Sequence, residues 1–426
     1  MRNVLVLGSG AREHAIAKKI KESDKVAEVY VLPGNDGIDF LIGNGKWEMG
    51  SDFDEIYDFI LQKEIDMVFV GSEQFLADGI VNYLSERSIK IVGPTKEAAQ
   101  IESSKVFSKE LMKKYNVPTA FYEVFDDIEK ATKFIQDKEF PVVLKADGLA
   151  AGKGVLIANN KKEAEVFIRE MLSGKKFGAS GERIVIEEFL NGEEASIFAF
   201  CDGENFVSTI FSQDHKRAFD NDEGLNTGGM GAYAPIDKFA HLKEEVDRQV
   251  FTPVLDAMKK EGCLFVGVLF AGLMIYEDNI NVVEFNCRFG DPETQVILPL
   301  LENDLMEICD AIVNKEINKI NLKWRERYAV TVVMASIGYP ENFEKGHEIF
   351  VGEELYSDNK LNLYFSGVKE DKARNCFVNS GGRVLSLTCL DETLEKTIDY
   401  VYRKIKLVKS DILRCRKDIG RKGLII

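Results

Sequence analysis

Pro141-Val142-Val143-Leu144-Lys145-Ala146-Asp147-Gly148-Leu149-Ala150-Ala151-Gly152-Lys153-Gly154-Val155-Leu156-Ile157-Ala158 reads as a strand, a glycine-rich loop and a second strand. β-Branched and apolar residues fill both flanks, and a lysine closes the first of them. A phosphate loop of Walker type runs from strand into helix and ends Gly-Lys-Ser/Thr. Here Gly154 stands in the Ser/Thr position and a strand follows, so the stretch is a hairpin with a mobile glycine tip. Lys145 stands at the strand end and Lys153 at the tip.

Outward from the hairpin, helices are predicted from Lys105 to Tyr115, from Asp127 to Gln136 and from Lys162 to Leu172. Ile184 to Leu190 is a strand that carries Glu187, Glu188, Phe189 and Leu190 at its end. Alternation then marks Glu194 to Cys201 and Phe206 to Phe211 as antiparallel strands. A turn-rich loop, Ser212 to Gly231, holds Asp214-His215-Lys216-Arg217 and Asn226-Thr227-Gly228-Gly229-Met230-Gly231. A helix from Leu242 to Lys260 precedes a strand pair, Val266 to Tyr276 and Asn281 to Phe285.

That pair leads into Glu284-Phe285-Asn286-Cys287-Arg288-Phe289-Gly290-Asp291-Pro292-Glu293-Thr294-Gln295. Glu284 and Asn286 are two apart on a strand and share one face. Hard oxygens on one face suit magnesium, and Arg288 suits a phosphoryl oxygen. A buried salt bridge closing the turn is the plainer alternative.

Residues 1 to about 100 alternate strand and helix, which implies a parallel sheet covered on both faces. The strands Val4 to Leu7 and Met67 to Val70 end in Gly8-Ser9-Gly10 and Gly71-Ser72-Glu73, on the edge where such sheets hold ligands. Gly8-Ser9-Gly10-Ala11-Arg12-Glu13 is half of a dinucleotide fingerprint. Glu13 occupies the place of the third glycine, and the next strand ends in Leu-Pro-Gly-Asn with no acidic residue for a ribose. The loop is therefore read as offering backbone N–H groups to an anion, with a plain strand-to-helix turn as the alternative. Helices are expected from Arg12 to Lys21, Asp52 to Leu61 and Leu76 to Glu86. At the other end, strands from Ala329 to Ile337, Leu361 to Ser366 and Val384 to Leu390 and a helix from Glu392 to Lys406 form a last unit.

The chain has 426 residues, 45% of them hydrophobic, a profile that suits two to four globular domains. Its 55 basic and 71 acidic residues leave a net charge of −16, unsuited to a nucleic-acid partner. Seven cysteines, far apart and never in Cys-x-x-Cys, point to reduced thiols and a cytoplasmic setting. No run approaches the length of a membrane span, and the opening Met1 to Gly8 reads as a strand rather than a signal peptide.

The order of these pieces resembles the ATP-grasp superfamily: a strand-end lysine, a Gly-Lys-Gly tip, Glu-Glu-Phe-Leu, then Glu-x-Asn-x-Arg. Within it, segments 145–155, 212–217, 226–233, 288–295 and 381–385 are similar to the phosphoribosylamine–glycine ligase family. That resemblance implies ligation of glycine to 5-phosphoribosylamine through a glycyl phosphate, with ATP and Mg2+ or Mn2+. It implies that Lys105, Lys145 and the tip with Gly148, Gly152, Lys153 and Gly154 hold ATP phosphates. Glu188, Phe189 and Leu190 would meet the adenine, with Glu187 and one of Glu193 or Glu194 near adenine or ribose. Glu284 and Asn286 would ligate the metal. Arg288 would stabilise the glycyl phosphate, with Asp214 on the glycine ammonium and Lys216 near its carboxylate or the phosphate. Gly8, Ser9, Gly10, Glu13, Gly71, Glu73, Asp291, Pro292, Glu293 and Thr294 would hold phosphoribosylamine.

The implied fold is α/β and α+β multidomain. An N-terminal doubly wound parallel sheet (1–103) precedes an ATP-grasp main lobe (104–122 and 193–325), a mobile lid lobe (123–192) and a small C-terminal α/β domain (326–426). A monomer or homodimer without the further domains of fused versions is expected. The sequence departs from the family at Ser72 and Phe75, where prolines are usual, at Leu225 for proline and at Val368 for threonine. Proline fixes φ, so the 71–76 loop is expected to be less rigid here.

Overall fold

The structure is a computed structural model that describes residues 1–43, 47, 50, 52–149, 154–173 and 182–424. Among these, four parallel strands open the chain, in the spatial order Val26–Pro33, Arg2–Gly8, Ile65–Val70, Ile91–Val92. Val4 to Leu7 are fully buried, as strands covered on both faces require. The chain leaves Arg2–Gly8 toward one neighbour and later returns on its other side. The ends of Arg2–Gly8 and Ile65–Val70 therefore flank the point where strand order reverses, which leaves a crevice.

The expected helix from Leu76 to Glu86 is two helices, Glu73–Asp78 and Ile80–Ser85. Gly79, at φ +97°, ends one and starts the other in the left-handed region that glycine adopts without strain. The stretch after the Leu-Pro-Gly-Asn strand end also has structure of its own. It is a short helix, Asp36–Ile42, whose first N–H groups donate to Asn35 Oδ1 at 2.9 and 3.0 Å. A further helix, Lys96–Ser103, precedes the expected one, Lys105–Lys114. The segment read as one helix from Leu242 to Lys260 runs through 3-10, α, π and α turns.

The hairpin is present. Val142–Ala146 pairs with Val155–Ala158, and the Ala146 N–H donates to Gly154 O at 2.8 Å. The tip residues 150–153, with the expected phosphate contacts Gly152 and Lys153, lie outside the described residues. Tyr122–Phe125 and Ile184–Glu188 complete an antiparallel sheet, backed by Ile128–Ile135 and Lys161–Leu172. Ala131, Ile135, Leu144, Ile168 and Met171 form a hydrophobic cluster separate from the main core.

A second antiparallel sheet runs Phe206–Ser208, Glu193–Asp202, Val266–Tyr276, Asn279–Asn286, the last delivering Glu284 and Asn286. The C-terminal strands Tyr328–Ser336, Arg383–Asp391 and Leu361–Phe365 continue a sheet begun by Gln213–Asp214 and Gly231–Ala234. Asp214 and the C-terminal region are thus tied through one hydrogen-bonded ladder.

Candidate active site

Strand alternation places Phe285 in the core and turns Glu284 and Asn286 the other way. The Asn286 amide is satisfied with its nitrogen toward Phe285 O at 3.2 Å and Glu102 Oε1 at 3.1 Å, which turns Oδ1 away from those acceptors. Glu284 lies 3.5 Å from the Lys105 ammonium. Burial opposes its charge, but Lys105, Lys216, Lys145 and Arg288 outweigh burial and pull its pKa down to about 2. An ionised carboxylate and an amide oxygen on one face fit a hard divalent cation. Such a cation commonly takes one or two protein ligands and fills its shell with phosphate oxygens and water. Among the described residues no cluster of three or more His, Cys, Asp or Glu could hold a metal by itself.

Glu102 carries no motif, yet it organises this segment. Its Oε2 accepts from the Cys287 N–H at 2.8 Å and the Cys287 thiol at 3.1 Å, and its Oε1 accepts from Arg288 at 2.7 Å. Arg288 also donates to Glu73 Oε2 at 3.2 Å and to Phe289 O at 3.1 Å. Three of its five N–H groups are thereby used. Burial alone would lower the guanidinium's pKa; Glu102 and Glu73 raise it. Glu73 in turn is held well below the usual carboxylate range, because Arg288 and Arg12 overcome its burial. Glu73 therefore reaches the site as the bridge between two arginines.

Lys145 lies in the strand Val142–Ala146 and donates to Glu187 Oε2 at 3.0 Å and to Val283 O at 3.0 Å. Lys109 contacts the same carboxylate at 3.0 Å, and burial lowers its pKa to about 8. Glu187, expected near adenine or ribose, has a buried carboxylate enclosed by two ammonium groups. It positions Lys145. Glu188 also differs from expectation. Its N–H donates to Phe121 O at 3.0 Å and its side chain accepts from Phe121 N at 2.8 Å, so its main-chain donor is already paired. Phe189 stands 36% exposed beyond it, with Leu190 half-buried. Gly148, at φ +133°, bends the chain after Asp147.

Asp147 ties the hairpin to the helix beside it. Its Oδ1 accepts from the Ser104 hydroxyl at 3.0 Å and the Val106 N–H at 3.2 Å, at the start of the helix that begins with Lys105. Its Oδ2 accepts from Arg183 at 2.7 Å.

Asp214, Lys216, Glu194, Glu284 and Glu293 face one another. Lys216 is 2.6 Å from Glu194, whereas Glu193 pairs outward with Lys238. Burial, then Glu293, Glu194 and Glu284, push Asp214 up to about 8 against the pull of Lys216. Burial also raises Glu293. Lys216 goes the other way, since Glu194, Asp214 and Glu284 outweigh its burial. Four carboxylates around one ammonium leave room for added positive charge, from a metal or a substrate ammonium.

The crevice at the reversal of strand order is a cleft of about 400 Å³, walled by Ser9, Gly10, Arg12, Ser72, Asp291 and Arg383. Arg383, from the C-terminal strand, grips Asp291 through two nitrogens at 3.1 and 3.2 Å and reaches Gly228 O at 2.7 Å. The sequence showed Arg383 only inside a matched segment, with no role.

The glycine loop differs most from expectation. Gly10 N–H donates to Glu13 Oε2 at 2.7 Å, and Arg12 Nε to Glu13 Oε1 at 2.6 Å. A Cβ on Gly8 or Gly71 would stand 2.4 or 2.5 Å from the Glu13 side chain. The anion this loop holds through Gly10 is its own carboxylate. Thr294 is likewise buried, and its hydroxyl donates to Gly290 O, so it closes the turn instead of facing the cleft. Glu293 is buried beside Ser196, and Pro292 packs against Gly229.

Models of the phosphoribosylglycinamide synthetase family match the chain in three consecutive parts: the N domain at 2–102, the ATP-grasp (A) domain at 103–294 and the C domain at 329–422. The phosphoribosylamine–glycine ligase of Halalkalibacterium halodurans is 44% identical over 99% of this chain and 97% of its own. The crystal structure of phosphoribosylamine–glycine ligase from Thermotoga maritima superposes with a TM-score of 0.83 at 34% identity, covering 98% of this chain and 99% of that one. The biotin carboxylase domain of Hydrogenobacter thermophilus 2-oxoglutarate carboxylase shares the fold alone, with a TM-score of 0.72 at 17% identity over 97% of this chain and 91% of that one. With a lysine-bearing hairpin and an acid–amide strand end inside the A region, and a cleft lined from all three regions, the chain belongs to the phosphoribosylglycinamide synthetase family of ATP-grasp proteins.

Proposed function

We infer that this chain joins glycine to 5-phosphoribosylamine at the expense of ATP, giving glycinamide ribonucleotide, ADP and phosphate in purine synthesis. The observation that carries this is the Glu284–Asn286–Arg288 strand end. It stands between lysines suited to phosphates and a cleft suited to a phosphorylated sugar. In our reading Lys105 and Lys145 hold the nucleotide phosphates, with Lys145 aimed by Glu187. Gly148 and the tip cover them, and Phe189 and Leu190 flank the base. Glu194 is assigned near the ribose in preference to Glu193, which turns outward to Lys238.

Glu284 and Asn286 would hold magnesium, or manganese in its place. When bound, the cation would supply positive charge to offset the negative charge that builds during phosphoryl transfer. Asp214 holds the glycine ammonium, and Lys216 steadies its carboxylate. That carboxylate attacks the terminal phosphorus of ATP, forming glycyl phosphate and releasing ADP. The amine of phosphoribosylamine then attacks the carbonyl carbon; phosphate leaves and the nitrogen gives up a proton. Arg288 lies where both steps build negative charge, and Glu102 and Glu73 fix its plane. Arg12, Asp291 and the Gly8–Gly10 and 71–73 loops hold the ribosylamine.

The domain division we propose assigns 1–103 to ribosylamine binding, 104–122 with 193–325 to the main lobe, 123–192 to a closing lid and 326–426 to a C-terminal unit. Among the described residues no helix is long and apolar enough to cross a membrane. We assign a cytoplasmic place, no nucleic-acid partner and a monomer or homodimer. The test is ADP formation with freshly generated phosphoribosylamine. Turnover should require glycine; turnover with formate or bicarbonate but not glycine would overturn the assignment.

A further inference from the structure

The helices Ala11–Lys21 and Thr294–Leu300 pack against each other. The first starts at the cleft and the second just after Asp291. At their other ends lies a separate cavity of about 180 Å³ that shares no wall residue with the cleft. Lys18 and Lys19 line it from the first helix, Arg325 and Arg327 from the segment before the strand Tyr328–Ser336, and Lys360 from beside the strand Leu361–Phe365. Glu22 is the acidic residue in its wall. Five cations around one small space run against a chain whose net charge is −16.

Two of the five are paired with carboxylates. Lys19 meets Glu22 at 3.0 Å and Leu301 O at 2.7 Å, and Lys360 meets Asp391 at 3.0 Å. Among the described residues, no carboxylate lies within ion-pair distance of Lys18, Arg325 or Arg327. Lys18 instead donates to Asn362 Oδ1 at 2.6 Å and lies 5.9 Å from the Tyr364 ring centre. Burial drags its pKa down, with only partial relief from Glu22. A helix C-terminus favours nearby cations, which accounts in part for Lys18 and Lys19. It does not account for Arg325 and Arg327, which belong to neither helix.

We propose that this cavity binds a small oxyanion of the phosphate class, either free phosphate or the phosphoryl group of a phosphomonoester, through Lys18, Arg325 and Arg327. Guanidinium forks match two phosphoryl oxygens, and the ammonium supplies a point charge between them. The volume is below that of drug-sized ligand pockets, which begin at about 300 Å³, and it suits a single phosphoryl group with water. The inference is independent of the assigned ligase activity.

Calorimetric titration of inorganic phosphate into the full chain, wild type against an Arg325→Ala/Arg327→Ala variant, tests it. Both arginines are exposed, so the variant should fold as the wild type does, as circular dichroism would verify. The wild type should show a binding event that the variant loses or weakens roughly tenfold or more. Glycine-dependent turnover in phosphate-free buffer should be the same in both. Lys18→Gln should repeat the weakening. Ribose 5-phosphate is the second probe: parallel losses identify the phosphoryl group as what is bound, and a loss for inorganic phosphate alone identifies the free ion. Identical isotherms for wild type and both variants would overturn the proposal.

Discussion

Each oxygen of the Glu102 carboxylate holds a different part of the strand end: Oε2 holds Cys287, and Oε1 holds Arg288 and the Asn286 amide. A Glu102→Gln change keeps the shape but turns one acceptor into a donor facing groups that already donate. Glycine-dependent turnover should fall roughly tenfold or more, since slight misplacement of reacting groups is costly. Nucleotide affinity, measured with a fluorescent analogue, should stay the same; unchanged turnover would remove Glu102 from a positioning role. Arg288→Ala should cost about a hundredfold in turnover, again with nucleotide binding kept. Normal turnover would show that Arg288 serves the turn alone. Glu284, Asn286 and Arg288 were legible in the sequence because strand alternation is local. Glu102 was not, because its contact with Cys287 spans 185 positions and leaves no spacing to read.

Elements were legible where one periodicity runs unbroken, as in the hairpin and the antiparallel strands. They were misread where a left-handed glycine divides a helix, as at Gly79, or where a helix changes pitch, as at 247–251. The first glycine loop has a measurable stiffness of its own. Gly8→Ala would press a methyl group into Glu13, from a backbone at φ +141°. Destabilisation of about 1–3 kcal/mol is expected, read from the thermal midpoint, together with a higher KM for phosphoribosylamine. A variant as stable as wild type would show that Glu13 can move aside. Acid sensitivity belongs to this scale as well. Burial pulls His215 down to about 3 from an ordinary 6.5, and neither ring nitrogen has a hydrogen-bond partner. Between those values the unfolded chain binds a proton that the native ring refuses. Stability present above pH 6.5 is therefore lost as pH falls toward 3. His215→Phe should make the fall in thermal midpoint between about pH 7 and pH 5 shallower. An unchanged slope would place the acid sensitivity elsewhere.

At the scale of the molecule, single side chains tie separately packed regions together. Asp147 connects the hairpin sheet to the helix that begins with Lys105, and Arg383 connects the C-terminal sheet to Asp291. Arg383→Ala should raise KM for phosphoribosylamine by roughly tenfold, because a charged hydrogen-bonded pair at the cleft wall is lost. Nucleotide affinity should not change, and an unchanged KM would mean that Asp291 holds its place without help. The order of the regions could be read from the sequence, since each has its own pattern of strands and helices. The contacts between them could not, since Asp147 looks like any turn aspartate until the Ser104 helix start is found against it. The bridging of Gly10 and Arg12 by Glu13 has a larger consequence. A sheet of this kind is a natural home for dinucleotides, yet here the seat is taken by a tenant on a permanent lease. A free pyrophosphate would have to evict a carboxylate tethered three residues from the amide it occupies. One glutamate at the place of the fingerprint's third glycine thus fills the seat a pyrophosphate would need and leaves only the neighbouring cleft open to a ligand.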